Sequence, residues 1–457
     1  MSFKAYEEYK DSGVKWLGEV PAQWDSKRLK FLFDICKRPI RDQDEIITCF
    51  RDGTVTLRSK KRADGFTNAV KEIGYQGVRN GDLVIHAMDA FAGAIGVSDS
   101  DGKSTPVYSV CRPRDKEYTP YYYARLLRHM ALSGFVTSLA KGIRERSTDF
   151  RWADASEIFL PVPSMGEQEN ITAFLNHETA RIDALIEEQQ RLIALLKEKR
   201  QAVISHAVTK GLDPNVPMKD SGVEWLGEVP AHWDVKPLRR HTISGLSNGL
   251  FKKKHEFGSG APLINVKDAY SSDYYVKEDA LDRVTCSESE LTSFRAEKDD
   301  VFIVRSSLKR EGIASAVILG SEIESCVFEC HLIKVRFSAE RINPRFATLV
   351  LNSKLHHENL IEASNTTTMT TISQKPILAI PMPTPSLEEQ ISIVETVDSD
   401  VAQIDQLISE SLALSNLLLD RRSALISAAV TGKIDVRGWT PPADAVPAQQ
   451  AARTEAV

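Results

Sequence analysis

Apolar and polar positions follow two regimes along the chain. Short runs rich in Val and Ile, DLVIHAM (82–88), AIGV (94–97), DVFIV (300–304), IASAVI (313–318) and HLIKVRF (331–337), are bounded by Gly, Asp or Ser and predict strands. Each strand-rich region ends in a helical pattern, YYYARLLRHMALSG (121–134) behind Pro120 and RFATLVLNSKLHHENLIE (345–362) behind Pro344. Proline at a helix start loses nothing, because that N–H has no intrahelical partner. Both regions are expected to be α+β domains. The spacing then changes. Ile171, Leu175, Ile182, Leu185, Leu192, Leu196 and Val203 form a stripe that approximates a heptad seam, as do Val397, Val401, Ile404, Ile408, Leu412, Leu418, Leu425 and Ala429. Neither Gly nor Pro falls between Glu167 and Val208 or between Leu387 and Val430, which predicts two helices of about 60 Å each at 1.5 Å per residue. A one-sided stripe of that length needs a partner. The partner is either the other helix, lying antiparallel about an approximate two-fold axis, or a helix of another chain.

The two regimes occur twice because the chain is a tandem duplication. KDSGVKWLGEVPAQWD (10–25) returns as KDSGVEWLGEVPAHWD (219–234), with 14 of 16 positions identical. PVPSMGEQENI from Pro161 is echoed by PMPTPSLEEQI from Pro381, IDALI (182–186) by IDQLI (404–408), and AVISHAVTKG (202–211) by ALISAAVTGK (424–433). Between these echoes the halves are unlike: RDGTVTLRSKKRADGF in one, SNGLFKKKHEFGSGAPLINVKDAY in the other. A shared frame with different contents suits a device holding two different readers in equivalent places; drift of the interiors under weak constraint is the alternative. The expected division is 1–165 and 213–385 for the two readers, 166–212 and 386–437 for the long helices, and 438–457 for a disordered Ala/Pro-rich tail.

Charge is distributed unevenly. The 457 residues carry a net charge of -5, mildly against a nucleic-acid binder. Yet residues 236–255 hold six Lys or Arg and no acid, and residues 381–412 hold seven Asp or Glu and no base. Further basic clusters are Arg58, Lys60, Lys61 and Arg62; Arg144, Arg146 and Arg151; and Arg305, Lys309 and Arg310. Cations gathered in the strand-rich regions are placed as phosphate contacts require, and Arg can also pair with guanine edges. No apolar run approaches the roughly 18 residues of a membrane span, the first ten residues lack a signal-peptide core, and six scattered cysteines fit reduced thiols. A cytoplasmic protein that engages no membrane is expected.

Catalytic motifs are approached and missed. GVSDSDGKS (96–104) has five residues between its glycines where a phosphate loop has four, and so reads as a turn. NPRF (343–346) is similar to the Asn-Pro-Pro-Phe/Tyr loop of amino-methyltransferases, but it sits at a helix start and lacks the second proline. Cys326, Cys330 and His331 lack a second ligand pair and read as core. With no nucleophile–base pair or carboxylate dyad, a non-catalytic chain is expected.

Taken together, the duplicated WLGEVPAxW (16–24 and 225–233), the paired Pro-x-Pro preceding Glu/Gln (Pro161, Pro163, Glu167, Gln168; Pro381, Pro383, Glu389, Gln390) and the twin helices resemble the specificity subunits of type I restriction–modification enzymes. NGDLVIHAMDAFAGAIGVS (80–98) and INVKD (264–268) look like that family too, and the resemblance reaches to about Asp435. It implies two target-recognition domains in pseudo-two-fold arrangement, joined by two long antiparallel helices that form a coiled-coil spacer. Each domain would read half of a split sequence in double-stranded DNA. The helices would dock two methyltransferase subunits carrying S-adenosylmethionine, and two restriction/translocase subunits would bring ATP and Mg. DNA contacts are expected from Arg58, Lys61, His86, Arg144 and Arg146 in the first domain. In the second they are expected from Lys252, Lys253, Lys254, Asn265, Lys267, Arg305, Ser306, Thr366, Thr367 and Thr368. Partner contacts along the helices are assigned to Leu185, Leu192, Leu196, Ile404, Ile408 and Leu418, and the tryptophan motifs to latches between domain and helix. A coiled-coil scaffold whose β-rich domains bind proteins is the alternative.

Overall fold

The structure, a computed structural model, describes residues 3–62, 72–139 and 150–441. Its contacts form two compact units, Met1–Glu188 with Leu414–Val457, and Gln189–Ala413. The helices predicted from the Gly- and Pro-free stretches run Met165–Lys210 and Leu387–Val430. The contact division therefore passes through both helices instead of falling at their ends, because each helical stretch packs sideways on the globule of its own unit.

In the first unit the strands Phe33–Ile35, Tyr108–Pro113, Leu83–His86 and Ile95–Val97 lie side by side in that order, all antiparallel. The helix Pro120–Leu132 covers the sheet with Tyr122, Tyr123, Leu126 and Leu127, which share a core with Phe33, Leu83 and Ile85. In the second unit Ser247–Asn248, Leu332–Val335, Val301–Val304 and Ala316–Ile318 repeat the same order and the same antiparallel pairing. Here the covering helix is Pro344–Asn352, and its last residue is tied to the sheet: Asn352 Nδ2 donates to Ala316 O (2.8 Å) and Ala316 N to Asn352 Oδ1 (3.0 Å). The additions differ. The first unit adds a hairpin, Ile47–Cys49 with Val55–Leu57, and the pair Gln76–Val78 with Gly102–Ser104. The second adds Asp282–Val284, Phe257–Ile264 and Val327–Phe328, the last two parallel, and a small sheet of Ser306–Ser307, Thr370–Thr371 and Asn365–Thr366.

The repeated sequence motifs build identical joints. Trp24 and Trp233 are wholly buried, and their Nε1 atoms donate to Glu167 Oε1 (3.1 Å) and Glu389 Oε1 (3.0 Å) in the first turns of the long helices. The following glutamine seals the next joint: Gln168 Oε1 accepts from Thr119 N (2.9 Å) and Gln390 Oε1 from Asn343 N (2.7 Å), the residues that start the covering helices. Asn343 itself caps its helix, accepting from Arg345 N and Phe346 N, which accounts for the Asn-Pro-Arg-Phe motif. Glu167, Gln168 and Gln390 are thus buried polar groups with partners, and Glu389, half-buried, has its partner too.

Within each unit the long helices run antiparallel. In the first, Arg422 Nη2 donates to Asp183 Oδ2 (3.2 Å); in the second, Arg200 Nε donates to Asp405 Oδ1 (3.0 Å). Asp183 corresponds to Asp405 and Arg200 to Arg422 in the duplicated sequence, so one ion pair is made twice with the helices exchanged. Leu196, Ile404 and Leu418 are buried and Ile408 half-buried, in line with the seam, but Leu185 and Leu192 are exposed. The inward side chains are those one residue later, Ile186, half-buried against the core, and Ile193, buried. A helix turns 100° per residue, so a one-residue error moves a side chain from seam to surface. Ile408 is the counterpart of Ile186 and marks the correct register. Trp439, which falls in the expected disordered tail, packs edge-on against Phe174 at 5.6 Å. Residues 442–457 lie outside the described residues.

Candidate nucleic-acid interface

The second unit gathers its predicted residues at one edge. Ser306–Ser307 pairs with Thr370–Thr371, which turns back onto Asn365–Thr366, so Ser306 and Arg305 stand beside a hairpin whose exposed tip is Thr366, Thr367 and Thr368. Ile372 N donates to Arg305 O (2.9 Å) and locks the hairpin's exit to this strand end. Arg305 Nε is buried with no hydrogen-bond partner among the described residues, an unmet donor at the base of the loop. Lys309 and Arg310 continue the loop and are exposed.

The other predicted cations separate by partner. Lys252 exposes only 5% of its side chain and bridges Glu256 (3.1 Å) and Glu290 (2.9 Å). The Ser287 N–H and the Lys252 ammonium hold the Glu290 carboxyl down at about 2. Lys252 is therefore a strut between two carboxylates, whereas Lys253 and Lys254 are exposed. Asn265 Nδ2 donates to Asp282 Oδ2 (2.9 Å), and Lys267 Nζ lies 2.9 Å from the same oxygen. Local carboxylates thus answer both residues.

In the first unit Arg58 Nε donates to Thr48 Oγ1 (3.2 Å). Lys61 pairs with Asp52, donates to Thr54 Oγ1 (2.9 Å) and lies over the Phe50 ring at 4.9 Å. His86 is turned inward: its Nδ1 accepts from Asp89 N (2.9 Å), its ring meets Tyr108 edge-on at 4.5 Å, and burial lowers its pKa. A neutral imidazole with its proton on Nε2 closes this turn. Arg144 and Arg146 lie outside the described residues. Phe150, just after them, donates its N–H to Ala87 O (3.1 Å), as Ile372 does to Arg305 O. In both units the segment after the covering helix returns to the end of the same sheet strand.

Sequence reasoning passed over Arg128. Its Nη1 donates to Arg51 O (2.5 Å) and to Gly93 O, clamping the turn of the 47–57 hairpin onto the loop after Leu83–His86. Gly93 has φ 88°, and a Cβ there would run into this guanidinium. The Ala-Gly-Ala setting of Gly93 was the available signal. Among the described residues Glu329, Cys330 and His331 have ligand atoms within 4.8 Å of one another, while Cys326 is wholly buried in the core. No described helix is long and apolar enough to cross a membrane.

No family model matches the sequence. The chain is 25% identical over 267 residues to the type I restriction enzyme EcoKI specificity subunit of Escherichia coli (strain K12), covering 57% of this chain and 55% of that protein. It is 23% identical over 296 residues to the StySPI specificity subunit of Salmonella potsdam, covering 64% of this chain and 60% of that protein. These alignments span less than two thirds of the relatives' own length. Solved structures match more fully. A chain from a type I R-M system superposes with TM-score 0.67 at 16% identity, over 91% of this chain and 99% of its own. The HsdS subunit from Thermoanaerobacter tengcongensis gives 0.51 at 17% identity, over 91% and 98%. In sequence, in mixed helix-and-strand fold and in its long helices, the chain resembles the specificity subunits of type I restriction enzymes.

Proposed function

We propose that the chain is the DNA-specificity subunit of a type I restriction–modification complex. Each unit reads one half of a bipartite site, and the long helices set the gap and dock two methyltransferase subunits. S-adenosylmethionine belongs to those subunits, ATP and Mg to two restriction/translocase subunits, and this chain supplies sequence choice without chemistry. The observation that carries this reading is that one frame and one sheet order hold two unlike strand ends, His86 beside the Arg128 clamp in one and Arg305 beside the threonine hairpin in the other. Phosphate contacts would position each unit, and base-edge contacts would specify.

The test is retardation of duplex DNA by the chain co-purified with its methyltransferase subunit. One bipartite sequence should bind at least about 10³-fold more tightly than scrambled competitor at physiological salt. Equal affinity for both would overturn the reading, and capture of a protein by either unit in place of DNA would favour a scaffold.

A further inference from the structure

The loop that leaves the third strand of the second unit's sheet carries a side chain for which neither charge nor fold accounts. Leu308 is 84% exposed, between the buried Ser306 and Ser307 and the exposed Lys309 and Arg310. A single exposed leucine is ordinary, but this one stands on a fixed base. Ser306 and Ser307 are paired to Thr371 and Thr370. Ser307 Oγ accepts from Lys309 N (3.1 Å) and lies 3.2 Å from Tyr270 Oη. Gly312 N donates to Lys309 O (3.1 Å), and Gly312 packs so closely on the Tyr270 hydroxyl that a Cβ would not fit. The loop is thus held at both ends while Leu308 stands exposed just before Lys309 and Arg310, on the strand end paired to the threonine hairpin. The first unit offers the same arrangement from different sequence. There the loop leaves Leu83–His86, Ala87 O is held by Phe150 N, and Met88 is 50% exposed. Two unlike loops, equivalent in the sheet order, each present one large apolar side chain.

Resting on the DNA-specificity reading, we propose that Leu308 packs against the C5-methyl group of a thymine in the major groove of the half-site addressed by the second unit, with Met88 its counterpart in the first. The C5-methyl is the one apolar feature that distinguishes a base edge there, and an apolar side chain is its complement. Lys309 and Arg310, which follow Leu308 in the loop, fit adjacent phosphates, and a preformed loop keeps the ordering cost of binding low.

The experiment uses the chain with its methyltransferase subunit and the bipartite duplex defined by adenine-methylation mapping. Each thymine of the second half-site is replaced in turn by deoxyuridine, which removes only the methyl. One replacement should weaken binding about fourfold, the worth of one buried methyl, and in L308A the same replacement should change nothing. L308A should also relax one position of the second half of the methylated sequence and leave the first half intact; M88A should do the reverse. No deoxyuridine-sensitive position, or equal sensitivity in wild type and L308A, overturns the assignment while specific binding persists. Loss of any preferred sequence in the wild-type complex overturns the specificity reading instead.

Discussion

The first and second units agree at three depths and part at a fourth. At the frame they agree residue for residue: Trp24 on Glu167 and Trp233 on Glu389, Gln168 on Thr119 and Gln390 on Asn343. Along the helices they agree by exchange, Asp183–Arg422 in one and Arg200–Asp405 in the other. In the four-stranded sheet they agree in order and antiparallel pairing, on strands of largely different sequence. At the strand ends they diverge: a neutral His86 with a clamped hairpin on one side, a threonine hairpin beside Arg305 on the other. Constraint is therefore graded. Buried hydrogen bonds between helix and domain demand particular residues, a sheet demands only apolar pattern and order, and the outer loops are free to carry difference.

The frame's equivalence can be broken most severely at its tryptophans. Trp24→Ala and Trp233→Ala should each cost about 3–5 kcal/mol, the range for emptying a large core site, measured by urea unfolding. A large loss in only one would show that the two joints are not interchangeable.

Acid should separate the units next. The repeated Trp16 meets Phe135 at 5.4 Å, whereas its counterpart Trp225 meets His356 at 5.0 Å. Burial pushes the His356 imidazole down to about 4 from 6.5, against the opposing bond to Pro381 O. With the folded pKa below the ordinary value, the unfolded chain takes the proton first. The stability contribution is therefore intact above pH 6.5 and lost as pH falls toward 4, by up to about 3 kcal/mol at 1.36 kcal/mol per pH unit. His356→Phe should flatten that part of the pH–stability curve, and an unchanged slope would contradict it.

The exchanged ion pairs should differ least. Arg200 also donates to Tyr274 Oη (3.2 Å) and to Ser272 O, and lies over the Tyr274 ring. Arg422 lacks that tyrosine, and its pair with Asp183 is half-exposed. Arg200→Ala should cost about 1.5–3 kcal/mol and Arg422→Ala under about 1 kcal/mol by denaturant midpoint. Equal losses would mean that the tyrosine contacts contribute nothing.

What was legible followed the same gradation. The helices and the tryptophan joints were readable because period and repetition are properties of sequence. The seam was readable to within one residue, since leucine and isoleucine stand side by side at 185–186 and 192–193 and apolar character alone does not choose between them. The interface was only half readable. Arg305, Ser306 and the three threonines come together because strand pairing brings positions about 60 apart into contact, a register no local pattern states. Lys252 looked like its neighbours Lys253 and Lys254 and differs through Glu256 and through Glu290, which the fold delivers from 38 residues away. Leu308, inside a polar run, was passed over, and Met88 was read as the end of the strand run DLVIHAM, because an apolar residue reads as core until its exposure is seen.

The end of each long helix meets its frame tryptophan through a glycine, and the two meetings are made differently. After Gly211 the backbone continues directly into the hairpin Met218–Asp220 with Glu228–Pro230. After Gly432 the matching hairpin, Tyr9–Asp11 with Glu19–Pro21, is reached without a peptide link: Tyr9 Oη donates to Gly432 O (3.1 Å) and Asp435 N to Lys4 O (2.7 Å). One junction is covalent and the other is assembled, yet both seat the same joint. Continuity of the polypeptide is thus dispensable at that point, and two fragments parted within 213–216 would retain the contacts that close either globule.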